Sequence, residues 1–115
     1  MNEKTKLLII WSTGDKGVAK YTAFMYALNS KRMGWWEEVK LIIWGPSGKI
    51  LVEDLELQKM VKDLMEEGVI LQACKGCSDK YDISNKLSEL NIDVKYVGED
   101  LTTMLKGNNW AVITY

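Results

Sequence analysis

The fold of this chain is decided by one short apolar run and the segment that follows it. The run reads Leu7-Leu8-Ile9-Ile10-Trp11, and the next residues read Ser12-Thr13-Gly14-Asp15-Lys16-Gly17. A continuous apolar run of this length is typical of a strand buried on both faces. Its polar successor contains two candidate helix caps, Thr13 and Asp15. Apolar residues then recur at helical spacing, at Val18, Tyr21, Met25 and Leu28. The segment therefore predicts a strand, a loop and a helix, ended by Gly34.

The same order of elements repeats along the chain. Apolar runs over residues 39–44, 69–73, 94–97 and 110–115 predict four more strands. A stripe from Leu57 to Met65 predicts a second helix that Gly68 closes. A shorter helix capped by Ser84 is also predicted, and another is predicted over residues 101–105. Strands alternating with helices predict an α/β fold, a three-layer α/β/α sandwich with a mostly parallel five-stranded sheet. The order of the strands is not readable from these patterns.

Composition limits the class of protein further. A chain of 115 residues is expected to form one domain, residues 1–115. A formal net charge of −1 without a basic patch argues against a nucleic-acid partner. The polar N-terminus, Met1 to Lys6, is followed by an apolar run too short for a signal peptide or a membrane span. We therefore expect a cytoplasmic location and no membrane association.

Three loops are expected to share the carboxyl edge of a parallel sheet, where pockets form in such folds. The candidate binding residues in these loops are Ser12, Thr13 and Gly14, then Gly45, Pro46 and Ser47, and finally Lys75 and Gly76. The first loop resembles phosphate-binding turns but matches neither glycine-rich nucleotide motif. A simple strand-to-helix connection explains it better.

Two cysteines follow the third strand, in Val69-Ile70-Leu71-Gln72-Ala73-Cys74-Lys75-Gly76-Cys77. The chain has no histidine, so thiol chemistry is the natural candidate. A thiol beside Lys75 and just ahead of a helix is expected to ionise readily. The alternatives are that Cys74 is only a small buried hydrophobe, or that Cys74 and Cys77 form a dithiol redox pair. Structural zinc needs four ligands, so we expect no metal.

The aromatic residues add one expectation about assembly. Trp35 and Trp36 lie in a turn-like segment, and at least one of them should be partly exposed. Exposed neighbouring aromatics favour an interface between subunits.

The chain resembles the DsrE/DsrF-like family of small sulfur-relay proteins. The resemblance rests on residues 41–47, 68–77 and 94–102 and on the final stretch, residues 110–115. It implies an α/β/α sandwich that assembles as a homotrimer, a hexamer or a mixed oligomer. It also implies that Cys74 accepts sulfane sulfur as a persulfide. Cys77 is an addition to that pattern and is assigned an auxiliary role.

The leading functional hypothesis is therefore a sulfur carrier or sulfurtransferase-like protein. It would take sulfur from a donor protein onto Cys74, pass it to an acceptor protein, and require no cofactor. Two alternatives stay open. One is a non-catalytic oligomeric module that binds a small ligand at the sheet edge, and the other is a dithiol redox protein using Cys74 and Cys77.

Overall fold

A single five-stranded sheet with helices around it makes up the chain. The structure is a computed structural model that describes residues 3–115, so Met1 and Asn2 of the polar N-terminus lie outside the described residues. The strands are β1 (Lys6–Trp11), β2 (Glu38–Ile43), β3 (Ile70–Cys74), β4 (Asp93–Lys95) and β5 (Trp110–Thr114). The helices are α1 (Lys16–Val18) and α2 (Met25–Arg32), joined by a π-helical stretch (Ala19–Phe24), then α3 (Ser47–Glu53), α4 (Leu55–Glu67), α5 (Lys75–Lys80), α6 (Ser84–Glu89) and α7 (Gly98–Lys106).

All strand pairs in the sheet are parallel, in the order β4-β3-β2-β1-β5. From β1 to β4 the chain steps across the sheet in one direction. Right-handed crossovers in one direction place their helices on one face. The step from β4 back to β5 runs the opposite way, so its helix belongs on the other face. The predicted α/β class and the three-layer sandwich are confirmed.

The two faces of the sheet are covered very unequally. Odd-numbered strand residues such as Leu7, Ile9 and Trp11 pack with Phe24, Leu57 and other residues of the π-helical stretch, α2, α3, α4 and α6. Even-numbered residues such as Leu8 and Ile42 pack instead with Val97 and Met104 at α7. This second face leaves Trp44 and Trp110 only half-buried. Alternation along each strand thus divides the apolar residues between two cores.

Several local signals behave as the sequence predicts. The Asp15 carboxylate accepts the Val18 N–H at 3.0 Å and caps α1. Gly68 closes α4 in the left-handed conformation with φ 102°, and Gly34 follows α2 with φ 68°. The predicted cap at Ser84 is wrong, because Ile83 precedes α6 and the Ser84 hydroxyl bonds to the Asp79 carboxylate at 2.6 Å.

Helix α3 is absent from the sequence expectation. Its apolar residues, Ile50 to Val52, are consecutive instead of periodic, so the segment after Pro46 gives no helical stripe. Among residues 3–115, no helix is both long and apolar enough to cross a membrane.

Candidate functional site

Cys74 lies where β3 passes into α5. It is the last residue of the strand, has extended backbone angles (φ −71°, ψ 113°), and occupies the position immediately before the helix. Strand alternation places its side chain on the sheet face of α7, where it packs half-buried against the second core. The predicted position, at the carboxyl end of a buried strand and the start of a helix, is confirmed.

Cys77 lies at the third position of α5, so one helical turn separates the two cysteines. Both thiols are free and both are half-buried. They also line one crevice together with Gly45, Ser78 and Ile83. The crevice leaves essentially no room for a water molecule in this conformation. The structure therefore holds a closed dithiol at the sheet edge.

The electrostatics of Cys74 differ from the sequence expectation. Burial raises the pKa of the Cys74 thiol above its ordinary value, and the neighbouring Cys77 thiol raises it further. The backbone N–H groups of Cys77 and Gly76 lower the pKa of the Cys74 thiol, but the net shift is still upward. The expectation of a readily ionised thiol is wrong for this chain on its own.

Lys75 has a partner of its own. Its ammonium lies 2.7 Å from the Asp79 carboxylate and 5.7 Å from the centre of the Tyr96 ring. The hydrogen bond to Asp79 raises the pKa of Lys75, and it lowers the pKa of Asp79. The Lys75 charge is therefore compensated by Asp79, one turn further along α5.

Asp79 also ties α5 to the start of α6. Ser84 donates to the Asp79 carboxylate at 2.6 Å, and the Ser84 and Ser78 hydroxyls lie 2.7 Å apart. Ser78 is buried, and its hydroxyl also lies 3.2 Å from the Lys75 carbonyl, so its one proton goes either to that oxygen or to Ser84. This polar chain fixes the turn of α5 that carries Cys77.

The loop after β2 forms the neighbouring wall of the site. Gly45 has φ 70° and lines the crevice, and Pro46 precedes α3. Ser47 is fully buried, with its hydroxyl 2.5 Å from the Trp11 carbonyl and 3.0 Å from the Trp44 carbonyl. The Ser47 hydroxyl joins the ends of β1 and β2, and a contact between Ser47 and a ligand stays a prediction.

The loop after β1 bonds to the C-terminal residue, and none of its residues lines the crevice of the thiols. Ser12 and Thr13 donate their backbone N–H groups to the Tyr115 carbonyl at 2.6 and 3.2 Å, and the Ser12 hydroxyl donates to the same oxygen. Gly14 lies beside Pro46, because a Cβ at Gly14 would be 4.0 Å from the Pro46 Cβ. The structure thus brings Gly45, Lys75 and Gly76 to the thiols, while Ser12 and Thr13 hold Tyr115.

Gln72 is a candidate site residue that the sequence analysis missed. It is 7% exposed, and its Oε1 has no hydrogen-bond partner among residues 3–115. It precedes Cys74 by two residues, so both side chains lie on one face of β3. A buried amide oxygen without a partner is costly. The available signal was a single polar residue inside the apolar run of the third strand.

Metal binding finds no support in the described part of the chain. Residues 3–115 contain no group of three or more cysteine, aspartate, glutamate or histidine side chains that could hold an ion.

Comparison with known proteins shows to which family this chain belongs. No protein-family model matches the sequence, and no curated protein matches it. Among solved structures, the YchN protein from E. coli has a TM-score of 0.71 over 98% of this chain and 100% of its own, at 14% identity. That likeness shows a shared fold. The conserved protein of unknown function BT1422 from Bacteroides thetaiotaomicron has a TM-score of 0.88 and is 34% identical, over 95% of each chain. With one-third of the residues identical over nearly the whole length, this chain belongs to the same family as BT1422.

Proposed function

We propose that this protein is a sulfur carrier or sulfurtransferase-like protein that accepts sulfane sulfur as a persulfide on Cys74 and passes it to a partner. The observation that carries the proposal is the position of Cys74, half-buried at the carboxyl end of β3 and facing the N–H groups of Gly76 and Cys77. Support also comes from the sequence resemblance to sulfur-relay proteins, whereas the likeness to YchN supports the fold alone.

The chemistry needs a thiolate and a good leaving group. The Cys74 thiolate attacks the outer sulfur of a donor persulfide, the donor S–S bond breaks, and the donor thiolate leaves with the electron pair. The N–H groups of Gly76 and Cys77 favour the anionic sulfur, both before the attack and in the persulfide that results. Because burial raises the pKa of the Cys74 thiol, loading should accelerate as pH rises toward that raised pKa.

The closed crevice determines the direction from which a sulfur donor approaches Cys74. It has essentially no room beside the thiols, so a donor must reach the Cys74 sulfur from its exposed side. Approach from that side suits delivery by a protein or a small persulfide, with Gly45, Lys75 and Gly76 flanking the attack. The same lack of space weighs against the alternative of a module that binds a small ligand in this crevice.

We also infer that the chain works as a homo-oligomer, a trimer or a hexamer, in the cytoplasm. The support is apolar surface left uncovered in the single chain. Tyr21 is 65% exposed and Trp35 is 58% exposed, and Trp36 is half-buried with its Nε1 donating to the Tyr26 hydroxyl at 3.1 Å. Sedimentation analysis of the purified protein tests this inference, and a monomer at micromolar concentration would contradict it.

Intact-protein mass spectrometry tests the carrier function. Wild type, Cys74→Ser and Cys77→Ser are incubated anaerobically with inorganic polysulfide, freed of it, and weighed. We expect Cys77→Ser to gain the mass of one sulfur atom and Cys74→Ser to gain none. No gain in Cys77→Ser, with its remaining thiol confirmed reduced, would remove the carrier proposal.

The shared crevice of the two thiols favours a second candidate, a dithiol redox protein. Cys74 at the position before a helix and Cys77 one turn later have the arrangement of a dithiol redox pair. Equilibration with a dithiothreitol redox buffer, followed by alkylation, measures how readily that disulfide forms. A pair that stays reduced throughout the accessible range would exclude this candidate.

A further inference from the structure

The Cys77 thiol has no assigned task in a carrier that needs only Cys74. It lies at the third position of α5, one helical turn from Cys74, and is half-buried. Both cysteines line the same crevice, and the crevice has essentially no room for a water molecule. Any sulfur atom attached to Cys74 is therefore held near a second thiol.

We propose that Cys77 discharges the Cys74 persulfide as hydrogen sulfide and leaves a Cys74–Cys77 disulfide. This inference rests on the proposed function, because it needs sulfur on Cys74. It adds an activity to that function: the release of sulfide when no acceptor protein takes the sulfur. The lifetime of the loaded carrier is then set by its own second thiol.

The step balances without an outside oxidant. The Cys77 sulfur, as thiolate, attacks the inner sulfur of the persulfide, which is the Sγ atom of Cys74. A bond forms between the two cysteine sulfurs, and the bond from Cys74 Sγ to the outer sulfur breaks. The outer sulfur leaves as HS⁻ with the electron pair, and the proton lost by Cys77 goes to solvent. The persulfide is thereby reduced to sulfide, while the thiol pair is oxidised to a disulfide.

The polar chain around α5 holds Cys77 in place for this attack. Ser78 and Ser84 link α5 to α6 through hydroxyls 2.7 Å apart, and Lys75 pairs with Asp79 one turn later at 2.7 Å. Ile83 closes the turn with an N–H that donates to the Ser78 carbonyl at 2.9 Å. A thiol fixed in this way reaches the neighbouring sulfur at a high effective concentration, whereas a thiol of another molecule must diffuse to it.

The test measures the decay of loaded protein. Wild type, Cys77→Ser and Cys77→Ala are loaded anaerobically with inorganic polysulfide, desalted, and followed by mass spectrometry and a sulfide assay. In wild type we expect the mass of the added sulfur to disappear, the protein to lose two hydrogens, and one sulfide to be released per loaded chain. In both variants the persulfide should last at least about tenfold longer, because the intramolecular route is lost. Wild-type decay should not depend on protein concentration.

The outcomes separate the two proposals. If Cys77→Ser and Cys77→Ala never gain sulfur although both fold, the carrier function fails and this inference fails with it. If both variants load and wild type keeps its persulfide as long as they do, the carrier function stands and the inference is overturned. Wild type that is never exposed to polysulfide serves as the control and must keep both thiols reduced. Treatment of decayed wild type with dithiothreitol must restore the two thiols and renewed loading.

Discussion

Ser47→Ala tests whether the loop after β2 serves structure or ligand binding. The Ser47 hydroxyl is fully buried and lies 2.5 Å from the Trp11 carbonyl and 3.0 Å from the Trp44 carbonyl. A hydroxyl carries one proton, so it donates to one of these two carbonyls at a time. The substitution removes that donor and leaves the chain otherwise of nearly equal size.

The expected loss of stability follows from what each carbonyl retains. The Trp11 carbonyl still accepts the Trp44 N–H at 3.0 Å, so it is not left unsatisfied. A typical hydrogen bond contributes about 1 kcal/mol, and a buried group left without a partner costs about 1–3 kcal/mol. Because the Trp11 carbonyl keeps another hydrogen-bond donor, Ser47→Ala should lower the free energy of unfolding by only about 1–2 kcal/mol.

Urea unfolding followed by tryptophan fluorescence measures this free energy. The matched control is Ser88→Ala, because Ser88 is exposed on α6 and its loss should change stability by less than about 0.5 kcal/mol. Polysulfide loading of Cys74 should be unchanged in Ser47→Ala. Unaltered stability together with lost sulfur loading would refute this reasoning and favour a direct role of Ser47 at the site.

Three further predictions concern pH and backbone conformation. Burial raises the pKa of Cys74 in the folded chain, so the unfolded chain loses this proton first, and stability should fall as pH rises from the ordinary thiol pKa to the raised one. Thermal unfolding at several alkaline pH values should show a smaller decline in Cys74→Ser, and parallel curves would contradict the assigned direction. The hydrogen bond from Lys16 lowers the pKa of Asp54, so its stabilisation is present above the ordinary aspartate pKa and is lost as pH falls toward the lowered value. Asp54→Asn should therefore flatten the acid side of the stability curve, and an acid side as steep as that of wild type would show that the ion pair contributes nothing. Gly68→Ala forces a side chain into a residue with φ 102° and should cost about 1–2 kcal/mol in urea unfolding. Gly98→Ala has open space around its Cβ and should cost nothing, so equal losses in the two variants would sink the conformational explanation.

Local chemistry made part of this molecule predictable. The three central strands follow apolar runs, because strands buried on both faces leave few polar positions. The run predicted as a strand over residues 94–97 forms only the short edge strand Asp93–Lys95, and Val97 instead precedes α7. Asp15 and Gly68 were identified as helix boundaries, since capping and left-handed backbone depend on the residue itself. Ser84 was misassigned because its hydroxyl has a competing partner, Asp79, that only the folded turn brings near.

The site, too, has features that the sequence predicts and features that depend on the fold. The placement of Cys74 between a strand and a helix was readable from residues 69–77. The direction of its pKa shift was not, because it depends on how deeply neighbouring elements bury the sulfur. The partner of Lys75 and the closure of the crevice likewise depend on contacts between α5, α6 and the loop after β2.

The sequence by itself determined the alternation of strands and helices, the parallel sheet and the two thiols at a strand end. These properties follow from hydrophobic periodicity and turn residues, which act over a few neighbours along the chain. Only the tertiary structure decided the strand order β4-β3-β2-β1-β5, and with it the lone helix α7 on the second face of the sheet. It also decided that Ser12 and Thr13 hold Tyr115 while Gly45 joins the thiols. The physical reason is that strand order and burial arise from packing between segments far apart in sequence, which no local pattern encodes.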